Sequence, residues 1–228
     1  RPRQSPKRHD PATADTTNLP SWLKPPSIPA EPRRGGCPKG LNPTPSTMMG
    51  GGSASNELCQ DKELRGLRHI VQDEPDDQFL LRNDFQDGVR KLADRNLVYE
   101  ILIYPRQLDA AVAFVSALPD QPFVLDHLAK PDIKNQNVDA WQLGFDGLAQ
   151  FEQVSCKVSG MVTEAKWNHW QPDDFRHYLD SALEAFGPDR LMFGSDWPVC
   201  LLAANDYADV YQLVAKWSES LSDSEQQK

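Results

Sequence analysis

Leu97-Val98-Tyr99-Glu100-Ile101-Leu102-Ile103-Tyr104 is a nearly unbroken apolar run with one charge, Glu100, inside it and Pro105 at its end. A continuous run of this length suits a strand covered on both faces, as strands of parallel sheets are. On its N-terminal side Asp84 can cap a helix in which Phe85, Val89 and Leu92 recur at i, i+4 and i+7. Before that helix, Gly66-Leu67-Arg68-His69-Ile70-Val71 is short and partly β-branched, and an acidic turn through Asp76 follows it, so it reads as a strand. On the C-terminal side the same cycle repeats. Leu108, Val112 and Val115 make a helical stripe, followed by the strand Phe123 to His127. Trp141, Phe145 and Leu148 lead to the strand Val154 to Ser159. Phe175, Leu179, Ala182 and Phe186, stopped by Gly187-Pro188, lead to Leu191 to Gly194, and Tyr207, Val210, Val214 and Trp217 make a last stripe.

Strand starts near 66, 97, 123, 154 and 190 lie 26 to 36 residues apart, the length of one strand with its crossover helix. Five such units mean a parallel α/β protein. An open doubly wound sheet and a closed eight-stranded barrel both fit this spacing, and no glycine-rich phosphate loop follows a strand to favour a nucleotide-binding sheet.

The composition divides the chain. Residues 1–60 hold 11 of the 19 prolines and 6 of the 13 glycines, with 8 Lys and Arg against 4 Asp and Glu; the other 168 residues carry 16 basic against 29 acidic groups. Residues 1–55 show no apolar period that could pack, and are expected to be a disordered leader ahead of a folded body at 56–228. The basic groups of the leader are scattered among prolines, with Trp22 its only aromatic, so a nucleic-acid partner is not expected. Neither a membrane span nor the apolar core of a signal peptide is present, which predicts a cytoplasmic protein. Cys37, Cys59, Cys156 and Cys200 lack C-x-x-C spacing and are expected to be free thiols.

Polar residues end all five strands, where barrels and open α/β sheets alike build their sites. They are His69, then Arg106, then Asp126, His127 and Lys130, then Lys157 and Ser159, and finally Asp196 and Trp197. Alternation along a strand would send Asp126 and His127 to opposite faces, and His127 is taken as the one facing the cleft. Each residue has a plainer role open to it. His69 could bond a backbone carbonyl, Lys157 could serve a salt bridge, and Asp196 could cap a helix, although it follows a strand rather than directly preceding a helical stripe.

Gly66-Leu67-Arg68-His69, Val71-Gln72-Asp73-Glu74-Pro75, the run Phe123 to Pro131, Cys156-Lys157-Val158-Ser159-Gly160 and Phe193-Gly194-Ser195-Asp196-Trp197-Pro198 occur in this order. Together they resemble the amidohydrolase-related family, in particular its fuconolactonase and rhamnonolactonase branch, from about residue 57 onward. The resemblance implies a (β/α)8 TIM-barrel-like fold and a hydrolase that opens a small sugar-acid lactone or related carbonyl compound. Asp196 would activate water, with His127 beside the attacked carbonyl or on a metal; His69, Arg106, Lys157 and Trp197 would hold the substrate.

The family's first strand brings a His-x-His pair, and His9, His69, His127, His169 and His177 include none. The expectation is therefore an incomplete barrel of about five C-terminal units, truncated and weakly active or inactive, whose open edges would favour self-association. A catalytic zinc uses about three protein ligands and a water, and only His127 and Asp196 are on offer, so no metal is assigned. The cofactor stays open, a divalent metal such as zinc being allowed in a full-length relative. A decarboxylase of the same superfamily and a non-catalytic barrel fragment are the rival readings.

Overall fold

The computed structural model describes residues 64–167 and 169–226, so the expected leader at 1–55, Cys37 and Cys59 lie outside the described residues. Five strands, β1 (Gly66–Ile70), β2 (Val98–Leu102), β3 (Phe123–Leu125), β4 (Val154–Val158) and β5 (Leu191–Phe193), form one parallel sheet in the order β1-β2-β3-β4-β5. Between and after them run α1 (Asn83–Ala93), α2 (Leu108–Ser116), α3 (Asp139–Ala149), the short α4 (Met161–Glu164), α5 (Asp173–Phe186), α6 (Tyr207–Ser218) and α7 (Asp223–Gln226).

The strand order decides between the two architectures that the spacing allowed. Crossovers between parallel strands are right-handed, so a sheet whose order follows the chain receives all its crossover helices on one face. A doubly wound sheet must reverse its order to place helices on both faces. The sequential order is thus the barrel arrangement, with an outer face under the helices and an inner face turned the other way.

The outer face is apolar on β2, β3 and β4, and on β1 it also carries His69. Tyr99, Ile101, Phe123, Leu125, Val154, Cys156 and Val158 are fully or almost fully buried there. Tyr99 meets Phe114 at 5.7 Å and Phe85 at 5.8 Å between ring centres, and Phe114 meets Phe123 at 5.4 Å, all in the tilted or edge-on geometries that aromatic pairs prefer. The predicted stripes supply the other side: Phe85, Val89 and Leu92 on α1, Trp141, Phe145 and Leu148 on α3, and Phe175, Leu179, Ala182 and Phe186 on α5 are all buried. Arg190, just before β5, donates to the carbonyls of Ala149 and Phe186, satisfying acceptors that the ends of α3 and α5 would otherwise leave open.

Every strand is shorter than its apolar run suggested, and local expectations change at the first helix and at two strand ends. Asp84 lies inside the first turn of α1 and takes its hydrogen bonds from Arg82, which itself occupies the cap position without capping by its side chain. The first strand ends at Ile70, because Val71–Asp73 winds into a 3-10 turn. The third ends at Leu125, because the chain turns left-handed two residues later, with φ near +55° at His127, Leu128, Ala129 and Lys130.

Candidate active site

The left-handed turn places the first functional group. Each non-glycine residue in this conformation costs roughly 1–2 kcal/mol, and four in a row persist only where packing over-determines them. Here Leu128 and Ala129 are buried and the Trp141 indole donates to the Leu128 carbonyl at 2.7 Å. The turn breaks the two-residue alternation, so Asp126 and His127, expected on opposite faces, both reach the C-terminal end of the inner face. The Asp126 side chain is wholly buried, and Arg68 and Lys157 contact its two oxygens at 2.9 and 2.8 Å.

His127 is clamped from two sides. Its Nδ1 lies 2.8 Å from the Ser159 hydroxyl. Gly160, at φ +61°, backs against the ring so closely that a Cβ there would come within 2.7 Å of His127 carbon atoms. Its Nε2 faces Asp196 Oδ1 at 3.6 Å. Asp196 is itself left-handed, at φ +55°. Burial lowers the His127 pKa, outweighing the Asp126 and Asp196 charges that favour the imidazolium, so the ring is neutral at neutral pH. If Ser159 donates to Nδ1, Nε2 keeps the hydrogen and aims it toward Asp196. A separation of 3.6 Å is longer than a hydrogen bond, and one oxygen can sit about 2.8 Å from both groups. The arrangement can therefore orient a water that donates to Asp196 and accepts from His127.

Deeper on the inner face four charges alternate. Arg68 donates to Asp126, and Lys157 donates to Glu100 at 2.6 Å while contacting Asp126. Lys157 loses hydration, which alone would lower its pKa, but Asp126 and Glu100 push it up, so it stays a cation.

The structure brings together Asp196, His127 and, one layer down, Lys157. Trp197 adjoins Asp196 and is 64 % exposed, free to cover a bound molecule. Arg106 stands at the rim, where it donates to Asp77 at 2.6 Å and to the Gln72 carbonyl at 2.8 Å and lies over the Tyr104 ring. His69 is not brought to the site. Strand alternation puts it on the outer face, 4.9 Å from the Phe79 ring centre and bonded to Glu74 at 2.6 Å, while its neighbour Arg68 takes the inner face. Arg68 and Glu100 are participants that strand-end reasoning passed over, although a charge inside an apolar strand is a legible signal. Glu164, on α4 beside Lys130, has no such signal, because its position depends on the turn at Gly160.

Among the described residues no cluster of three or more His, Cys, Asp or Glu side chains is gathered as a metal would require. His127 and Asp196 supply two donors where a catalytic zinc uses about three protein ligands and a water. The described residues alone do not fit that ion.

Comparison with known proteins sets this geometry in context. The amidohydrolase family model matches residues 53–228. An L-fucono-1,5-lactonase of Burkholderia multivorans is 45 % identical over 168 residues, which cover 69 % of this chain and 56 % of that protein. An L-fucono-1,5-lactonase of Burkholderia ambifaria is 34 % identical over 168 residues, covering 73 % of this chain and 56 % of that protein. The crystal structure of an amidohydrolase from Burkholderia multivorans, solved with bound zinc, superposes with a TM-score of 0.69 at 42 % identity, covering 75 % of this chain and 63 % of that one. The chain spans about half the length of these curated relatives, 56 % of each.

Proposed function

This chain belongs to the amidohydrolase family, and on that footing we propose that it hydrolyses a small sugar-acid lactone, with L-fucono-1,5-lactone as the first substrate to try. The observation that carries the proposal is the Asp196 carboxylate 3.6 Å from His127 Nε2, both on left-handed backbone at strand ends. Non-glycine residues held in this conformation concentrate at functional sites, where the surroundings compensate the strain.

In the proposed reaction Asp196 accepts a proton from water as its oxygen bonds to the lactone carbonyl carbon. The neutral His127, oriented by Ser159, donates Nε2–H toward the carbonyl oxygen as negative charge develops there. When the ring carbon–oxygen bond breaks, the proton held by Asp196 passes to the departing ring oxygen, leaving a hydroxy acid. Lys157 stays cationic and, with Arg68, holds the Asp126 carboxylate beside His127 in the chain. Trp197 covers the ring, and Arg106 holds the 72–77 loop at the rim.

The test is lactone hydrolysis followed by acid release. It should be run on the 228-residue chain and on a chimera preceded by the corresponding residues of the Burkholderia multivorans relative, each beside its Asp196→Asn variant. Lactonase activity that survives this substitution undiminished would show that Asp196 is not the base. The two edge strands, β1 and β5, each pair on one side only among the described residues, which supports association of copies through those edges. A sharp monomer peak on sizing would count against that association.

A further inference from the structure

Beside the Asp196 and His127 pair stands a second pair of opposite charges that the mechanism above does not use. Lys130 ends the left-handed turn that His127 begins, and Glu164 closes α4, which starts where Gly160 packs against the His127 ring. Their Nζ and Oε1 atoms are 3.4 Å apart, and the side chains are only 13 % and 18 % exposed. A charge-assisted N–H···O bond closes to about 2.7–2.9 Å, so this pair touches without saturating either member.

Neither side chain is satisfied elsewhere to the full. The Lys130 ammonium lies 5.2 Å from the centre of the Tyr104 ring, and Glu164 receives a second long contact, 3.4 Å, from the Thr163 hydroxyl. An ammonium carries three donors and a carboxylate about four acceptor positions. Donors and acceptors are thus left over at a place largely withdrawn from water. Burial raises the Glu164 pKa in spite of Lys130, as expected of a carboxylate short of partners.

A hydroxyl group is acceptor and donor at once, and suits a gap between an ammonium and a carboxylate. We infer that Lys130 and Glu164 form the subsite that selects a hydroxylated lactone ring. Lys130 donates to a ring hydroxyl oxygen, and that hydroxyl or its neighbour donates to Glu164. A ring without hydroxyls would strip water from both charges and return no hydrogen bond, which is how a polar site rejects an analogue lacking the group it was built for. This inference rests on the hydrolase reading of the adjoining pair.

Binding measured by calorimetry separates the two, with no turnover required. The probes are the lactam analogue of L-fucono-1,5-lactone, which carries ring hydroxyls, and δ-valerolactam, which has none. The 228-residue chain should prefer the hydroxylated lactam. Glu164→Gln and Lys130→Met, which nearly keep the original shapes, should each weaken that lactam by roughly 10- to 100-fold, the value of a hydrogen bond to a charged group. Both should leave δ-valerolactam unchanged, and Asp196→Asn should keep the preference. Equal affinity of the unmodified chain for both lactams, an unchanged preference in both variants, or equal losses for both probes would each overturn the subsite while leaving the hydrolase reading in place. An unmodified chain that binds neither lactam would overturn both.

Discussion

The two faces of one sheet carry opposite chemistry. On β2, Tyr99 and Ile101 face the helices among buried aromatic and aliphatic side chains, while Glu100 between them reaches Arg68 and Lys157 on the inner face. Strand alternation makes this division unavoidable, since neighbouring residues must face opposite ways. The difference teaches that the outer face supplies stability, by removing large apolar surfaces from water. The inner face holds charges and strained backbone for chemistry, at little gain in stability. Ion pairs withdrawn from water contribute little net stability because desolvation offsets their attraction, and left-handed residues subtract from it.

Substitutions can break that division. The largest effect is expected at Asp196, where Asn keeps the shape and removes the proton acceptor. Lactone hydrolysis should fall by roughly 10²–10⁴-fold, with the thermal midpoint unchanged, as paired rate and melting measurements would show. On the outer face the signs reverse. Tyr99→Ala deletes a buried ring among Phe85, Phe114 and Phe123 and should cost about 3–5 kcal/mol of stability in a urea titration. A loss below about 1 kcal/mol would mean that the aromatic layer is not what holds the helices to the sheet.

Smaller effects sharpen the comparison. Gly160→Ala must both adopt φ +61° and push the His127 ring aside. We expect a loss of about 2 kcal/mol together with a rate loss, whereas stability lost with full activity would place the His127 ring outside the reaction. Asp126→Asn keeps the shape but removes the negative charge between Arg68 and Lys157, and should cost about 1–3 kcal/mol; an increase in stability would show that the cluster strains the fold.

The smallest effect is the pH dependence due to His127. Its folded pKa is lowered from the ordinary 6.5, so the folded chain binds fewer protons than the unfolded one as the pH falls below that value. The stability it contributes is fully present above 6.5 and is lost as the pH falls through the depressed folded value. Melting temperatures from about pH 8 down to about pH 5 should decline more for the unmodified chain than for His127→Gln. Equal declines would remove His127 as the source.

Much of this was legible in the sequence, because the signals are local. Helical stripes such as Phe85, Val89 and Leu92, and apolar strands at near-regular spacing, follow from side-chain periods that each segment carries within itself. Polar residues after the strands marked the site end, and among them Asp196 and His127 face each other, while Lys157 pairs with Asp126. What the sequence could not decide were choices between faces and turns. His69 and Arg68 are neighbours, and only the packing of α1 and its preceding loop against β1 sends His69 outward to Phe79 and Glu74. The left-handed turn from His127 to Lys130 contains no glycine to announce it, and is held by distant partners such as Trp141. The sequence by itself determined the five parallel units and which segments end in reactive groups, since both rest on patterns within a few residues. Only the tertiary structure decided that His127 faces Asp196 and Lys130 meets Glu164, because those pairings depend on strained turns that contacts far along the chain keep in place.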